Sequence, residues 1–273
     1  MITNFKYKLN NFYNKIASQS NPTIYVLMFN IKAFILGFSV RIKKDKDDMY
    51  VAIDNGLKRF FNIKFQNATS YECGLERRAL DMGNSYMLNL LKFNDGDTII
   101  DCGANVGDLM LYFNKQSIYI NYIGFEPSLP EFKCLKRNVN SEYLYNIGLW
   151  NKKCTLQFFS STSHADSSFI EPAKYESVYR INADRLDNII SSAQKIKLLK
   201  LEAEGAELEV LMGSWNILKN IEYISADLGF ERGVNQETTF NEVTNMLLKN
   251  NFELVEVGFT RIVALYRNTA FKI

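Results

Sequence analysis

The feature that most restricts this chain is a rhythm that begins near residue 75 and breaks at the end. Apolar residues at helical spacing, Leu75 to Leu91, lead through the turn Asn94-Asp95-Gly96-Asp97 into a short apolar run, Thr98 to Cys102. A helix over Val106–Asn114, a strand over Ile118–Phe125 and a helix over Ser128–Val139 follow. The last of these opens on Ser-Leu-Pro-Glu, a capping box with an early proline. Strand-like runs over Leu144–Leu149, Thr155–Phe159, Ile196–Ala203 and Tyr223–Leu228 come next, with helical patterns over Ala206–Leu218 and Thr239–Asn250. Strands alternating with helices build βαβ units, hence a parallel sheet covered on both faces. The final two runs, Phe252–Val257 and Arg261–Tyr266, are separated only by Gly258-Phe259-Thr260. A parallel crossover needs about a dozen residues, so the last strand must run antiparallel to its predecessor.

Residues 1–70 stand outside this rhythm. The polar start, residues 1–20, is not a signal peptide. The stretch Thr23 to Val40 is apolar enough to raise the question of a membrane span. Asn30 and Lys32 sit near its middle, where a charge costs roughly 2.5–3.5 kcal/mol on insertion scales. The expectation is therefore a buried helix followed by a strand, with no transmembrane span; a peripheral membrane contact stays open. Phe34–Ile42 and Met49–Ile53 read as a hairpin around the charged turn Lys43 to Asp48. We expect residues 1–70 to form a small helix and β-hairpin extension and residues 71–273 to form the sheet domain. The extension could serve a homo-oligomer as an interface.

Composition removes several classes of function. With 47% hydrophobic and 14% aromatic residues in 273, the chain can bury a large core, and disorder is excluded. Lys and Arg number 32 against 30 Asp and Glu, too balanced for a chain whose main partner is a nucleic acid backbone. The four cysteines lie far apart without a C-x-x-C, so neither a disulfide framework nor a zinc site is expected, and a reducing, cytoplasmic setting fits best. His164 is the only histidine, which excludes metal sites and triads that need two. P-loop, G-x-S-x-G and H-E-x-x-H motifs are absent.

Three motifs remain. Asp101-Cys-Gly-Ala-Asn-Val-Gly107 marks a strand-to-helix turn: Gly103 permits the tight turn, and Gly107 lets the helix approach the strand with its N–H groups facing a ligand. The nicotinamide fingerprint G-x-G-x-x-G is missing, and the acid Asp101 suits a ligand carrying a positive amino group. Glu126 in Ile123-Gly-Phe-Glu-Pro127 ends the next strand, where a carboxylate can accept both ribose hydroxyls. Leu198 to Glu207 runs from a strand into a helix and carries Lys200, Glu202, Glu204 and Glu207. Ligands of open α/β sheets bind at the carboxyl ends of the strands, which aims Glu202 and Glu204 at the site. For Glu207 the helix dipole alone accounts for an acid in the first turn, and Lys200 is expected to pair with a carboxylate.

Asp-Cys-Gly-Ala-Asn-Val-Gly, then Phe-Glu-Pro, then Lys-Leu-Glu-Ala-Glu-Gly-Ala-Glu resembles the FkbM-type methyltransferase family over roughly residues 98–230. That family reads D-x-G-A-N-x-G, F-E-P and K-x-D-x-E-G-x-E, so Glu202 stands where an Asp is usual. The resemblance, with the antiparallel last strand, implies an α/β fold of the class I methyltransferase (Rossmann-like) kind, a doubly wound seven-stranded sheet. It implies an S-adenosylmethionine-dependent O-methyltransferase acting on a sugar or polyketide hydroxyl, with S-adenosylhomocysteine as product. Asp101, Gly103, Asn105, Gly107, Glu126 and Pro127 take the cofactor places, joined by the flanking Ala104 and Ser128 and by Gly148 and Leu149 at the end of the following strand.

A hydroxyl acceptor needs a base. Glu202, Glu204 and His164 are the candidates, with Asp227 at the end of the fifth strand behind them. His164 lies in the polar stretch Ser160 to Ser168. Glu202 and Glu204 share a face while the strand stays extended, so their repulsion is expected to raise one pKa. Two other functions stay open: a nicotinamide-dependent oxidoreductase on a similar sheet, and a non-catalytic partner that keeps the fold.

Overall fold

The computed structural model describes residues 21–46, 49–62, 70–160, 167–258 and 261–272. The chain divides into two compact units, the first ending at Arg78 and the second holding the described residues from Ala79 onward.

In the first unit, helix α1 (Pro22–Leu36) starts at Asn21, whose side chain accepts the Ile24 N–H at 3.0 Å. It ends at Gly37, left-handed at φ 75°. Phe34 to Leu36, expected to begin a strand, complete this helix because Gly37 is the first residue that can take the left-handed stop without strain. Strands β1 (Arg41–Lys44), β2 (Met49–Asp54) and β3 (Leu57–Asn62) form an antiparallel sheet in that order. The expected hairpin is thus β1–β2, and a third strand extends it. The Asn55-Gly56 turn, with both φ positive, makes that addition. The expectation of a buried helix holds for one face only. Tyr25, Phe29 and Ala33 are buried, whereas Ile24, Leu27, Ile31, Phe34 and Ile35 are exposed. The two polar residues of the apolar stretch both have partners within this unit. Asn30 exchanges two hydrogen bonds with the backbone of Ile42, at 2.9 and 2.8 Å, in place of a neighbour to edge strand β1. Buried Lys32 pairs with Glu72 at 2.8 Å. Among the described residues no helix is long and apolar enough to cross a membrane.

Helix α2 (Leu75–Ser85) leads into the second unit, which is built on a seven-stranded sheet. Its order is β14 (Phe252–Gly258), β15 (Val263–Asn268), β11 (Ile221–Asp227), β10 (Ile196–Leu201), β4 (Thr98–Cys102), β5 (Asn121–Phe125) and β6 (Leu144–Tyr145). Strands β6, β5, β4, β10 and β11 pair in parallel, and β15 runs antiparallel to both β11 and β14. This is the doubly wound, seven-stranded sheet that the resemblance implies, with the parallel pairing that the alternation predicts and the antiparallel last strand that the short final link requires. Successive residues face opposite ways. Ile100 and Leu199 enter one core with Leu247, and Ile99 and Leu198 enter the other with Phe113 and Leu135. Those cores are covered by α3 (Leu109–Gln116), α4 (Leu129–Asn138), the short α5 (Leu186–Ile189) and α6 (Glu207–Met212), and α7 (Phe240–Lys249). Strand order reverses between β4 and β10, which puts the carboxyl ends of β4, β5 and β10 around one crevice.

Between Phe159 and Ile196, where no element is expected, lie β9 (Ser177–Asp184) and α5, and two expected elements end differently. Leu144 to Leu149 is not one strand: β6 ends at Tyr145, and β7 (Gly148–Leu149) joins β9 (Ser177–Asp184) and β8 (Cys154–Ser160) in a second sheet of order β7-β9-β8. The Asn146 side-chain amide donates to the carbonyls of Glu126 and Pro127, at 2.9 and 3.0 Å, and draws the chain out of line. The helix expected to reach Leu218 stops at Met212, and Gly213 follows it at a place where a Cβ would lie 2.0 Å from the Trp150 carbonyl oxygen.

Candidate functional site

Where β4 ends, the backbone turns sharply. The N–H groups of Gly103 and Ala104 both donate to the Phe125 carbonyl, at 3.1 and 2.9 Å, which ties the turn to β5. Gly103 has φ 70°, and a Cβ there would lie 2.1 Å from the Glu202 carbonyl oxygen. Only glycine allows β4 to end against the loop that follows β10. Asn105 is left-handed at φ 49°, and this aims its N–H at Glu126, 2.7 Å away. Its side-chain oxygen Oδ1 is buried without a hydrogen-bond partner. Gly107, at φ 85°, donates to the Ala104 carbonyl at 2.7 Å and hands the chain towards α3.

Glu126 lies just beyond β5, buried. One oxygen accepts from Asn105 N–H and the other from Ser128 N–H, each at 2.7 Å. The first two motifs therefore meet in a hydrogen bond. Burial pushes the Glu126 carboxyl up to about 8; Glu131 adds to the rise and the two N–H bonds oppose it. The Ser128–Glu131 contact of the expected capping box runs from the serine hydroxyl to the Glu131 carboxylate. The Ser128 N–H, which a capping box gives to the later acid, goes to Glu126 instead. Pro127 is held by the Asn146 amide on its carbonyl. Gly148 and Leu149 lie in β7: Gly148 packs under the Phe169 ring, and Leu149 is part of the core.

Asp101 and Lys200 pair across neighbouring strands β4 and β10, both buried. Lys200 Nζ stands 3.1 Å from Asp101 Oδ1 and 3.0 Å from Glu202 Oε2, and it donates to the carbonyls of Cys102 and Gly103 at 3.0 and 2.7 Å. Its charge also lies 5.1 Å from the centre of the Tyr86 ring. The Tyr122 hydroxyl donates to the other Asp101 oxygen at 2.6 Å. Desolvation still raises the Asp101 carboxyl, with Lys200 opposing it. Asp101 thus has Lys200 beside one oxygen and the Tyr122 hydroxyl on the other.

Glu202 has more partners still. Tyr86 hydroxyl donates to it at 2.6 Å, and Arg261 binds its second oxygen. Burial would raise this carboxyl, but Lys200 first and Arg261 second reverse the shift and hold it down at about 2. The expected rise from carboxylate crowding is found elsewhere. Arg261 also pairs with Asp227, at the buried end of β11. Asp227 is raised, chiefly by desolvation. Beyond it, β12 (Phe230–Arg232) carries Glu231, whose Oε2 is buried without a hydrogen-bond partner. Burial, then the charges of Asp227, Glu202 and Glu207, push the Glu231 carboxyl up to about 8.

Glu204 is left-handed at φ 49°, and its carbonyl accepts the Ser168 hydroxyl at 2.7 Å. Glu207 folds back on its own loop: it accepts the N–H groups of Ala203 and Gly205, at 2.9 and 3.0 Å, and the Thr239 hydroxyl at 2.9 Å. His164 lies outside the described residues. Tyr86, Tyr122, Arg261 and Glu231 carry no motif. Each reaches the site through tertiary contact, so only an unexplained polar residue beside a strand end could have signalled them.

Residues 101–254 match the family model described as the methyltransferase FkbM domain. A curated relative, Methyltransferase 1 of Beauveria bassiana, is 24% identical over 160 residues, covering 47% of this chain and 64% of that protein. The chain thus spans less than two thirds of this relative's length. Among solved structures, P. horikoshii TYW2 in complex with MeSAdo is similar at 12% identity and TM-score 0.45, covering 90% of this chain and 85% of that one. M. jannaschii TYW2 in complex with AdoMet is similar at 9% identity and TM-score 0.40, covering 85% and 95%. With more than half of its residues matched by the family model, and the three motifs inside the matched segment, the chain belongs to the FkbM methyltransferase-domain family.

Proposed function

We propose that this protein is an S-adenosylmethionine-dependent O-methyltransferase that acts in the cytoplasm on a hydroxyl of a sugar or surface-glycan precursor. One hydrogen bond carries this reading: Asn105 N–H on Glu126, which brings the glycine turn and the acid after β5 together. Each Glu126 oxygen has one N–H partner and further lone pairs, so the pair can accept two neighbouring ribose hydroxyls. Asn105 Oδ1, buried and unpartnered, is an acceptor that a bound ligand would satisfy. These residues fit the cofactor. When bound, S-adenosylmethionine supplies a methyl group on a positively charged sulfur whose departure needs no proton.

The chain's own work is then to orient the acceptor and take its proton. Glu202, held at about 2, keeps its charge but is a weak base, and its bonds to Tyr86 and Arg261 suit it to positioning. Glu231 matches the base's task better: its carboxyl titrates near 8 and one oxygen has no hydrogen-bond partner. With the cofactor bound, Glu231 would take the proton of the acceptor hydroxyl as the methyl group left its sulfur for that oxygen, the neutral thioether departing. Glu204 and His164 stay candidates for contacts to the acceptor. Arg261, half-exposed and anchored on buried Asp227, offers hydrogen-bond donors suited to a polyhydroxylated acceptor.

Calorimetry with S-adenosylmethionine and with NAD tests the cofactor: micromolar binding of the first and none of the second is expected, and the reverse would support an oxidoreductase instead. Transfer of labelled methyl to nucleotide sugars, lipid-linked saccharides or isolated glycans tests the acceptor class. No transfer to any of them, with cofactor bound, would overturn the glycan assignment.

A further inference from the structure

Helix α1 is apolar on both faces: Tyr25, Phe29 and Ala33 are buried, and a second apolar stripe is exposed. At 100° per residue, the exposed Ile24, Leu27, Ile31, Phe34 and Ile35 fall within an arc of about 100°. Phe34 is 77% exposed and Leu27 59%. The one charge in the helix, Lys32, is on the other side, buried against Glu72. Such a contiguous apolar stripe on a surface marks an interaction site.

The charge of the surrounding sequence identifies the partner. The chain as a whole is nearly balanced, yet its first acidic residue is Asp45. Before it stand Lys6, Lys8, Lys15, Arg41, Lys43 and Lys44 besides the paired Lys32. An uncharged apolar stripe within a stretch of sequence that carries positive charge alone up to Lys44 is complementary to an anionic lipid surface. We propose that α1 lies in the plane of such a surface, with Ile24, Leu27, Ile31, Phe34 and Ile35 at the acyl boundary and the basic residues that follow the helix on β1, Arg41, Lys43 and Lys44, among the headgroups.

Three alternatives fit less well. Fifteen residues of helix reach about 22 Å, short of the ~30 Å hydrocarbon thickness, so α1 does not span. A face about 22 Å long and about 10 Å wide offers on the order of 200 Å², well under the ~800 Å² per partner of a specific dimer. A nucleic acid backbone would answer the lysines but leave the apolar stripe in water.

The test is co-sedimentation of the full-length protein with vesicles of three parts phosphatidylcholine to one part phosphatidylserine, and with phosphatidylcholine alone, at low and high salt. Binding to the mixed vesicles, weakened by salt, is expected. Phe34→Glu and Ile31→Glu, both at exposed positions, should each reduce it about tenfold or more while circular dichroism and the melting temperature stay as in the parent. Absence of vesicle binding, equal binding by the variants, or indifference to lipid charge would overturn the proposal. So would a dimer in light scattering that the variants dissolve, or binding to a short duplex RNA in place of the vesicles.

Discussion

Replacing Glu231 by glutamine should remove turnover and add stability, because one cause underlies both. The substitution keeps size and removes only the charge. In the folded protein the Glu231 carboxyl is pushed from 4.5 to about 8, first by burial and then by Asp227, Glu202 and Glu207. A raised acid binds its proton more tightly when folded. Between pH 4.5 and 8 the native state holds more proton than the unfolded chain, and stability falls as pH rises through that window. At ~1.4 kcal/mol per pH unit this amounts to at most on the order of 5 kcal/mol, part of it expressed through Asp227. Glutamine has no such dependence. The variant should gain roughly 2–4 kcal/mol at pH 8 and little at pH 5, which for a domain of about 200 residues is a rise of roughly 5–15 °C in melting temperature. Glu126, also near 8, leaves the variant a residual slope. Turnover should fall at least about a hundredfold, and the parent rate should climb with pH towards a plateau above about 8. Thermal scans at both pH values and labelled methyl transfer are the assays. An equal gain at pH 5 and pH 8 would show that Glu231 does not titrate as argued; full turnover beside the stability gain would place the base elsewhere.

Glu202 should behave in the opposite sense. Its carboxyl is lowered from 4.5 to about 2, so its contribution, about 3 kcal/mol, is present above pH 4.5 and lost as pH falls towards 2. Glu202→Gln should destabilise at pH 7 and lose that acid-side slope; a hundredfold loss of turnover at unchanged stability would make Glu202 the base. Glu126→Ala should weaken S-adenosylmethionine by roughly 1–3 kcal/mol in calorimetry at pH 9, where the carboxyl pushed to about 8 is ionised and its hydrogen bonds are charge-assisted, and an unchanged dissociation constant would put the ribose elsewhere. Lys200→Met should cost about 3–5 kcal/mol in urea unfolding because it leaves Asp101 buried beside no cation, and a cost under about 1 kcal/mol would contradict the pairing. Gly103→Ala should destabilise by more than about 2 kcal/mol, since its Cβ meets backbone at 2.1 Å; near-wild-type stability would refute that packing.

Local order in the sequence determined the sheet class. Alternation of strands and helices requires parallel pairing, and a three-residue link between the last two runs forces an antiparallel end; neither conclusion needs long-range information. Glycines at 103 and 107 and the acid at 126 were legible because tight turns and strand ends have local chemical requirements. The insertion of β15 between β14 and β11 was not legible, because strand order depends on which faces pack together and not on any one segment. The same holds for the split of Leu144–Leu149, decided by one asparagine amide reaching back to Glu126 and Pro127. At the site, sequence proximity suggested that Glu202 and Glu204 would repel. Lys200, two residues away and expected to pair with a carboxylate, takes up Glu202; the tertiary fold added Tyr86 and Arg261 and left Glu231 with a buried oxygen that has no hydrogen-bond partner. Charge patterns along a chain state which groups exist. Which of them are neutralised is decided by near neighbours such as Lys200 together with distant ones such as Tyr86, 116 positions from Glu202, and by the water that folding removes.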